Sequence, residues 1–287
     1  YADKTINTAG RQQQIQTQFF ATVKNVLMNI VIYDGNFEGL MTAIFEIYEY
    51  KIKQPVILNC ETQTGILFAT IHEVQTNKDK TERVFKKLKD KLTPNAFSLL
   101  YKTFLSEEKE IENVIYRYIA YVLSSKVAVE NDYSNADVLM LQQTSRKVHR
   151  EKHRMEAFVR FQLTKDQLYY CIIQPDFNVL PLIRKHFENR YADQRWLIYD
   201  SRRKYGLYYD LQTVEEVSLN FETDMNNAYA VKSICDEKEE LYQQLWCTYF
   251  SSINIAARKN MKLHIQHMPK RYWRYLTEKR ESINGEY

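Results

Sequence analysis

Four polar side chains are suited to acid or base chemistry: Asp176, His186, Asp200 and His267. Each also has an architectural reading. Asp176 follows Pro175 and precedes an apolar helical pattern, where a carboxylate can cap a helix. Asp200 comes just before Ser201-Arg202-Arg203, where a turn or an ion pair would use it, and His186 beside Phe187 suits a packed histidine. A catalytic role is therefore expected of Asp176, Asp200 and His267 only if they meet in one cleft.

The second chemistry is recognition of anions. Residues 258–280 carry eight cations, Arg258, Lys259, Lys262, Lys270, Arg271, Arg274, Lys279 and Arg280, against Glu278 alone. His264, His267, Tyr272, Trp273 and Tyr275 are interleaved with them. Cations neutralise phosphates, and exposed aromatic faces stack on unpaired bases, worth about 1–3 kcal/mol per base. Pro269 and the bulky aromatics favour an ordered, docked segment over a loose basic tail. Lys270, Arg271, Trp273 and Arg274 are its expected nucleic-acid contacts. The alternative is that the rings plug the core while the cations face outward.

A second basic cluster contains Arg146, Lys147, Arg150, Lys152 and Arg154. Positions 146, 150 and 154 share one helix face at four-residue spacing, so Arg150 and Arg154 are candidates for a phosphate track. A plain solvated face reads equally well. His149 and His153 have a metal-compatible spacing, but Glu151 stands in the wrong place for a zinc hydrolase and the flanking cations oppose a metal, so none is expected. In Phe158-Val159-Arg160-Phe161, Arg160 projects either from a sheet face that binds nucleic acid or towards an acid in a covered sheet.

Several function classes are excluded. Cys60, Cys171, Cys235 and Cys247 are too scattered for a zinc knuckle, an iron–sulfur cluster or any other implied cofactor. Six glycines in 287 residues leave no glycine-rich phosphate loop. Apolar runs are far shorter than the roughly 18–20 residues of a membrane helix, which predicts a cytoplasmic protein with no membrane partner. Net charge is only +4, and residues 28–125 are nearly balanced at 12 basic against 13 acidic side chains. Positive charge is thus concentrated late in the chain.

These residues need elements to position them. Residues 1–27, rich in Gln, Asn and Thr and without an initial Met, read as a leader or a non-native extension, with Met28 as a possible native start. Residues 28–33 form a β-branched run ending at the turn Asp34-Gly35-Asn36, and a helix is expected over 38–51. A strand over 67–74 and helices over 81–92, 95–105 and 108–123 follow. Beyond them come a helix over 136–156, a strand over 157–163, its hairpin partner over 168–173 and a helix starting at Pro175-Asp176. Strands over 196–200 and 206–211, an acidic loop and a helix over 239–250 complete the pattern. This order predicts an α+β fold with a region at 28–135 and a strand-rich region at 136–287, with continuity into one domain as the alternative.

Four separated segments resemble a bacterial family assigned to DNA metabolism or DNA repair, whose shared region is a domain of unknown function. They are Tyr33-Asp34-Gly35-Asn36-Phe37-Glu38-Gly39-Leu40, then His153-Arg154-Met155-Glu156-Ala157-Phe158-Val159-Arg160-Phe161, a stretch from Pro175-Asp176-Phe177 to Ile198-Tyr199-Asp200, and Gln266-His267-Met268-Pro269-Lys270-Arg271-Tyr272-Trp273-Arg274-Tyr275-Leu276. The resemblance implies a DNA context. It also implies partners, a radical-type DNA repair protein or a uracil-DNA glycosylase-like protein, to which some members are fused or adjacent. No glycosylase motif is present, so that activity does not carry over. The leading expectation is a DNA-binding accessory protein in repair or base modification. The alternatives are an enzyme acting on damaged or modified DNA and an interaction module for a repair enzyme.

Overall fold

The computed structural model describes residues 28–60, 69–218, 236, 238–253 and 260–279. Residues 1–27 lie outside them, as do Arg258, Lys259 and Arg280 of the basic stretch. The chain divides into two compact units: Tyr1–Phe104 with Glu108–Gln143, and Leu105–Glu107 with Thr144–Tyr287.

In the first unit, β1 (Met28–Tyr33) lies between β2 (Pro55–Asn59) and β3 (Ala69–Glu73), all parallel. Ile30, Val31, Ile32 and Tyr33 are buried in succession, the pattern of a central strand covered on both faces. α1 (Phe37–Glu49) starts where the Asn36 side chain accepts a hydrogen bond from the Gly39 amide at 2.6 Å. Leu40, Met41, Ala43, Ile44 and Ile47 supply its buried side. The edge strand β2 was not foreseen: its run is short and opens with proline, which is tolerated at the first residue of an edge strand. Asn113 closes that edge, accepting from the Ile57 amide at 2.9 Å and donating to its carbonyl at 3.1 Å.

Three further helices lie wholly within this unit: α2 (Lys78–Lys89), α3 (Pro94–Phe104) and α4 (Ile111–Ser124). α2 begins before the expected residue 81 because Asn77 caps it, accepting from the Lys80 amide. Pro94 is the first residue of α3, a position where its missing N–H costs nothing.

The second unit holds a mixed sheet in the order β4–β5–β6–β7–β8, formed by Gln162–Leu163, Tyr169–Ile173, Trp196–Asp200, Tyr205–Tyr209 and Val214–Val217. β5 and β6 are parallel and joined through α6 (Leu180–Arg190); the other pairs are antiparallel. Val179, Leu180, Ile183, Phe187, Trp196, Ile198 and Leu207 form its centre. The fold is α+β, as expected.

Four expectations are corrected here. The strand expected over 157–163 is mostly helix: α5 (Ala136–Phe158) runs through Phe158, and only Gln162–Leu163 pairs with β5. Arg160 donates to the carbonyls of Ala157 at 2.7 Å and Val159 at 3.2 Å. It thereby satisfies acceptors that the end of the helix leaves open, which a four-residue alternation could not reveal. Asp176 caps no helix, since α6 starts at Leu180 with proline in its first turn. Leu211 has φ +86° and lies outside β7, which ends at Tyr209. Part of the expected acidic loop is β8, an edge strand with Glu215 and Glu216 exposed.

The remaining described elements are α7 (Glu239–Ile253), α8 (Met261–His267) and the 3-10 turns Lys270–Tyr275 and Thr277–Lys279. No helix among the described residues is long and apolar enough to cross a membrane.

Gly35 has φ +85°, and a Cβ there would lie 2.9 Å from Asn59 Oδ1. Gly35→Ala is expected to destabilise the protein by about 1–2 kcal/mol, read as a lower urea midpoint with an unchanged slope.

Candidate nucleic-acid interface

The second half of α5 has two chemically opposed sides. Val148, Glu151 and Met155 are buried, whereas Arg146 and Arg150 are exposed. Glu151 therefore sits on the apolar stripe, with its side chain 1% exposed. Burying a carboxylate costs several kcal/mol unless donors surround it, and here they do. Its Oε1 accepts from the Asp176 amide at 2.9 Å and from the Tyr272 hydroxyl. Its Oε2 lies 3.4 Å from the Arg271 guanidinium and 3.6 Å from that of Arg154.

Around this centre the contacts close into a network. Arg271 pairs with the Asp176 carboxylate at 2.7 Å and donates to the Tyr272 hydroxyl at 2.6 Å. Burial, reinforced by Glu151, raises the Tyr272 pKa well above the ordinary tyrosine value, so the hydroxyl stays protonated and donates. Arg154 reaches the Gln266 carbonyl at 3.4 Å. Helix α5, the loop at Asp176 and the chain from Gln266 to Tyr272 thus converge, although over a hundred residues separate α5 from the last of them.

The expected acid–base residues sit in three different settings. Asp176 has a half-exposed carboxylate beside Arg271. Asp200 is fully buried and shapes the turn after β6, accepting from the amides of Arg202 at 2.9 Å and Arg203 at 3.3 Å. Arg203 pairs with Asp200 at 2.8 Å and forks onto Glu107 with three bonds of 2.6–3.0 Å. Both Arg202 and Arg203 also donate to the Asp176 carbonyl. Asp200 is thereby tied to the Asp176 backbone while its own carboxylate is inaccessible. His267 is exposed at the end of α8, next to Gln266. His149 and His153 face each other with ring centroids 6.3 Å apart, and no group of metal-ligating residues occurs among the described residues.

Over its described residues, 260–279, the basic-aromatic segment turns Tyr272 and Trp273 inward and most of its cations outward. Tyr272, Trp273 and Leu276 are buried, while Lys270, Arg271 and Arg274 are exposed. Trp273, expected as a base-stacking contact, is 4% exposed and donates to the Met268 carbonyl at 3.0 Å. In this arrangement it offers no face to a base. The Arg274 guanidinium lies over the Tyr275 ring at 4.6 Å, a cation–π contact that holds it at the surface. Arg160 stands apart from this group. It pairs with the buried Glu278 at 2.9 Å, and its guanidinium lies over the Trp246 ring.

The roles of Glu151 and Glu278 were missed by the sequence reading, whereas a turn or ion pair for Asp200 at Ser201-Arg202-Arg203 was expected and is present. Of the two missed acids, only Glu151 left a trace in the sequence, as an acid spaced with Val148 and Met155 on an apolar helix stripe. Glu151→Ala would strand the Tyr272 hydroxyl and the Asp176 amide. A loss of about 2 kcal/mol is expected, mostly from the unmet buried hydroxyl, measured by chemical denaturation.

Burial alone would raise the Glu278 pKa, but Arg160, the Glu278 amide and Trp246 outweigh it and hold it below the ordinary carboxylate value. A depressed folded pKa means that this contribution to stability is present above the unfolded value of about 4.3 and is lost as pH falls through the folded one. Glu278→Gln is therefore expected to lower stability at neutral pH and to flatten its acid limb. An acid limb that superimposes on that of the wild type would refute the assignment.

No curated protein matches the chain. Among solved structures, one described as the pGpG-specific phosphodiesterase PggH from "Vibrio cholrae" aligns at 9% identity, covering 80% of this chain and 100% of that one, with a TM-score of 0.30. A likeness that weak carries no argument about fold or activity. Residues 109–278 match the family described as a domain of unknown function, DUF4130. That span includes α5, the Asp176 loop and the basic-aromatic segment as far as Glu278. It is more than half of the chain, and the chain belongs to the DUF4130 family.

Proposed function

We propose that this protein binds DNA through its phosphates, as an accessory factor in repair or base modification. One observation carries the reading: Glu151 gathers Arg154 of α5 and Arg271 of the C-terminal segment at one carboxylate. Two basic stretches distant in sequence thus join one network. Arg150 on α5 and Lys270 and Arg274 on the segment add exposed charge. Phosphate recognition needs clustered cations held in place more than it needs net charge.

The buried rings of Tyr272 and Trp273 bear on the mode of binding. With those faces covered, contact falls to the cations, and the expected specificity is for backbone charge over base identity. In this reading the radical-type repair protein or the glycosylase-like protein implied by the resemblance supplies the chemistry on the base.

Fluorescence anisotropy with single-stranded, intact duplex and lesion-bearing oligonucleotides across a salt series tests this. Affinity is expected to fall linearly in log–log form with salt. Arg150→Ala, Lys270→Ala and Arg274→Ala, all at exposed positions, are each expected to reduce the slope by about 0.7–0.9. Absence of binding at low salt would overturn the proposal.

A further inference from the structure

Helix α7 leaves an apolar face open to solvent. Leu241 is 54% exposed, Tyr242 52%, Leu245 57%, Trp246 38% and Tyr249 55%. The helix is attached along a different edge. Glu239 is buried and accepts from the Leu163 amide at 2.9 Å and from the Gln243 side chain at 2.9 Å. Cys247 faces the Thr277 carbonyl at 3.7 Å, and Trp246 Nε1 donates to Glu278 at 2.8 Å. Residues 239, 243 and 247 thus hold the helix, 241, 242, 245 and 249 project from it, and Trp246 lies on the border, anchored through Nε1 with part of its ring exposed.

The chemistry of this face selects its occupant. From residue 241 to residue 253 the helix carries no charged side chain. A nucleic-acid surface needs cations beside its aromatic rings, and a helix lying on a membrane carries Lys or Arg on its polar side; from residue 241 onward α7 supplies neither, and the Arg160 guanidinium over its Trp246 ring is already paired with Glu278. An identical helix meets no like-charge penalty across such a face. The stripe is also centred on Leu245, with Leu241 and Tyr242 one turn before it and Tyr249 one turn after. An antiparallel copy related by a two-fold axis beside Leu245 would therefore set Leu241 and Tyr242 against the other copy's Tyr249, with the two helix dipoles opposed.

The area is sufficient for a modest interface. Five large side chains, each about half exposed and each carrying roughly 150–250 Å² when aromatic, offer about 500 Å² per copy. Two copies would bury about 1,000 Å², the lower limit of a specific interface. We infer that the protein self-associates into a two-fold dimer through the exposed face of α7, separately from the surface proposed for DNA.

Sedimentation equilibrium of the full chain over a dilution series tests this. Wild type is expected to move with concentration from a monomer of 34.4 kDa to twice that mass. Leu245→Glu is expected to weaken association about tenfold or more, as changes at an interface centre do, with circular dichroism and thermal unfolding unchanged. Because the axis would place each residue 245 near its mate, mixing Leu245→Glu with Leu245→Lys is expected to restore a heterodimer. A wild type that stays monomeric at every concentration, or a dimer indifferent to Leu245→Glu, would overturn the inference. So would a monomer that co-sediments with anionic vesicles, or one whose oligonucleotide binding is lost in Leu245→Glu, since the face would then belong to lipid or nucleic acid.

Discussion

A single buried carboxylate sets the geometry of the second unit's polar surface. Glu151 sits among Val148, Met155 and Tyr272 with almost no water, in surroundings that would expel an unpaired charge. Its two oxygens engage the Asp176 amide, the Tyr272 hydroxyl and two guanidinium groups. These donors come from separate parts of the chain, so they must arrive together for the burial to be tolerated. The positions of Arg154 and Arg271 follow from that requirement.

Counting cations overstates what this surface offers a ligand. Arg203 is committed to Glu107 and Asp200, Arg160 to Glu278, and Arg154 and Arg271 partly to Glu151 and Asp176. Such arginines hold the architecture together through charge-assisted forks. Arg146 and Arg150 are exposed at the periphery, as are Lys270 over the Trp273 ring and Arg274 over the Tyr275 ring. Interior ion pairs and peripheral charge are therefore divided between scaffold and surface, with Arg271 belonging to both.

Periodicity made most of the helices legible, because α1 and α4 carry apolar residues at spacings of three and four. Their ends were less so. Asn77 and Arg160 decide where α2 starts and α5 stops through side-chain bonds to the backbone, which apolar spacing does not carry. β2 and β8 escaped notice because both are short edge strands, specified by neighbours and not by their own pattern. At the candidate site, residue types pointed to a basic, docked segment, and burial decided between the roles left open for individual members. Trp273 became a core residue and Asp200 a turn former. The partner that unites the site, Glu151, was hidden by the cations around it in the sequence.

The three residues Leu105–Glu107 belong to the second unit although they precede most of it by dozens of positions. The Leu105 carbonyl receives the Asn178 amide at 2.9 Å, and Glu107 supplies the outer carboxylate of Arg203. A fragment cut to begin at residue 109, where the family match begins, would discard both. The turn below Asp176 would then have an unanswered amide and a half-paired guanidinium. The boundary drawn from family resemblance is thus a poor place to cut the gene, and an expression clone of this unit needs to retain the short piece that lies upstream of it.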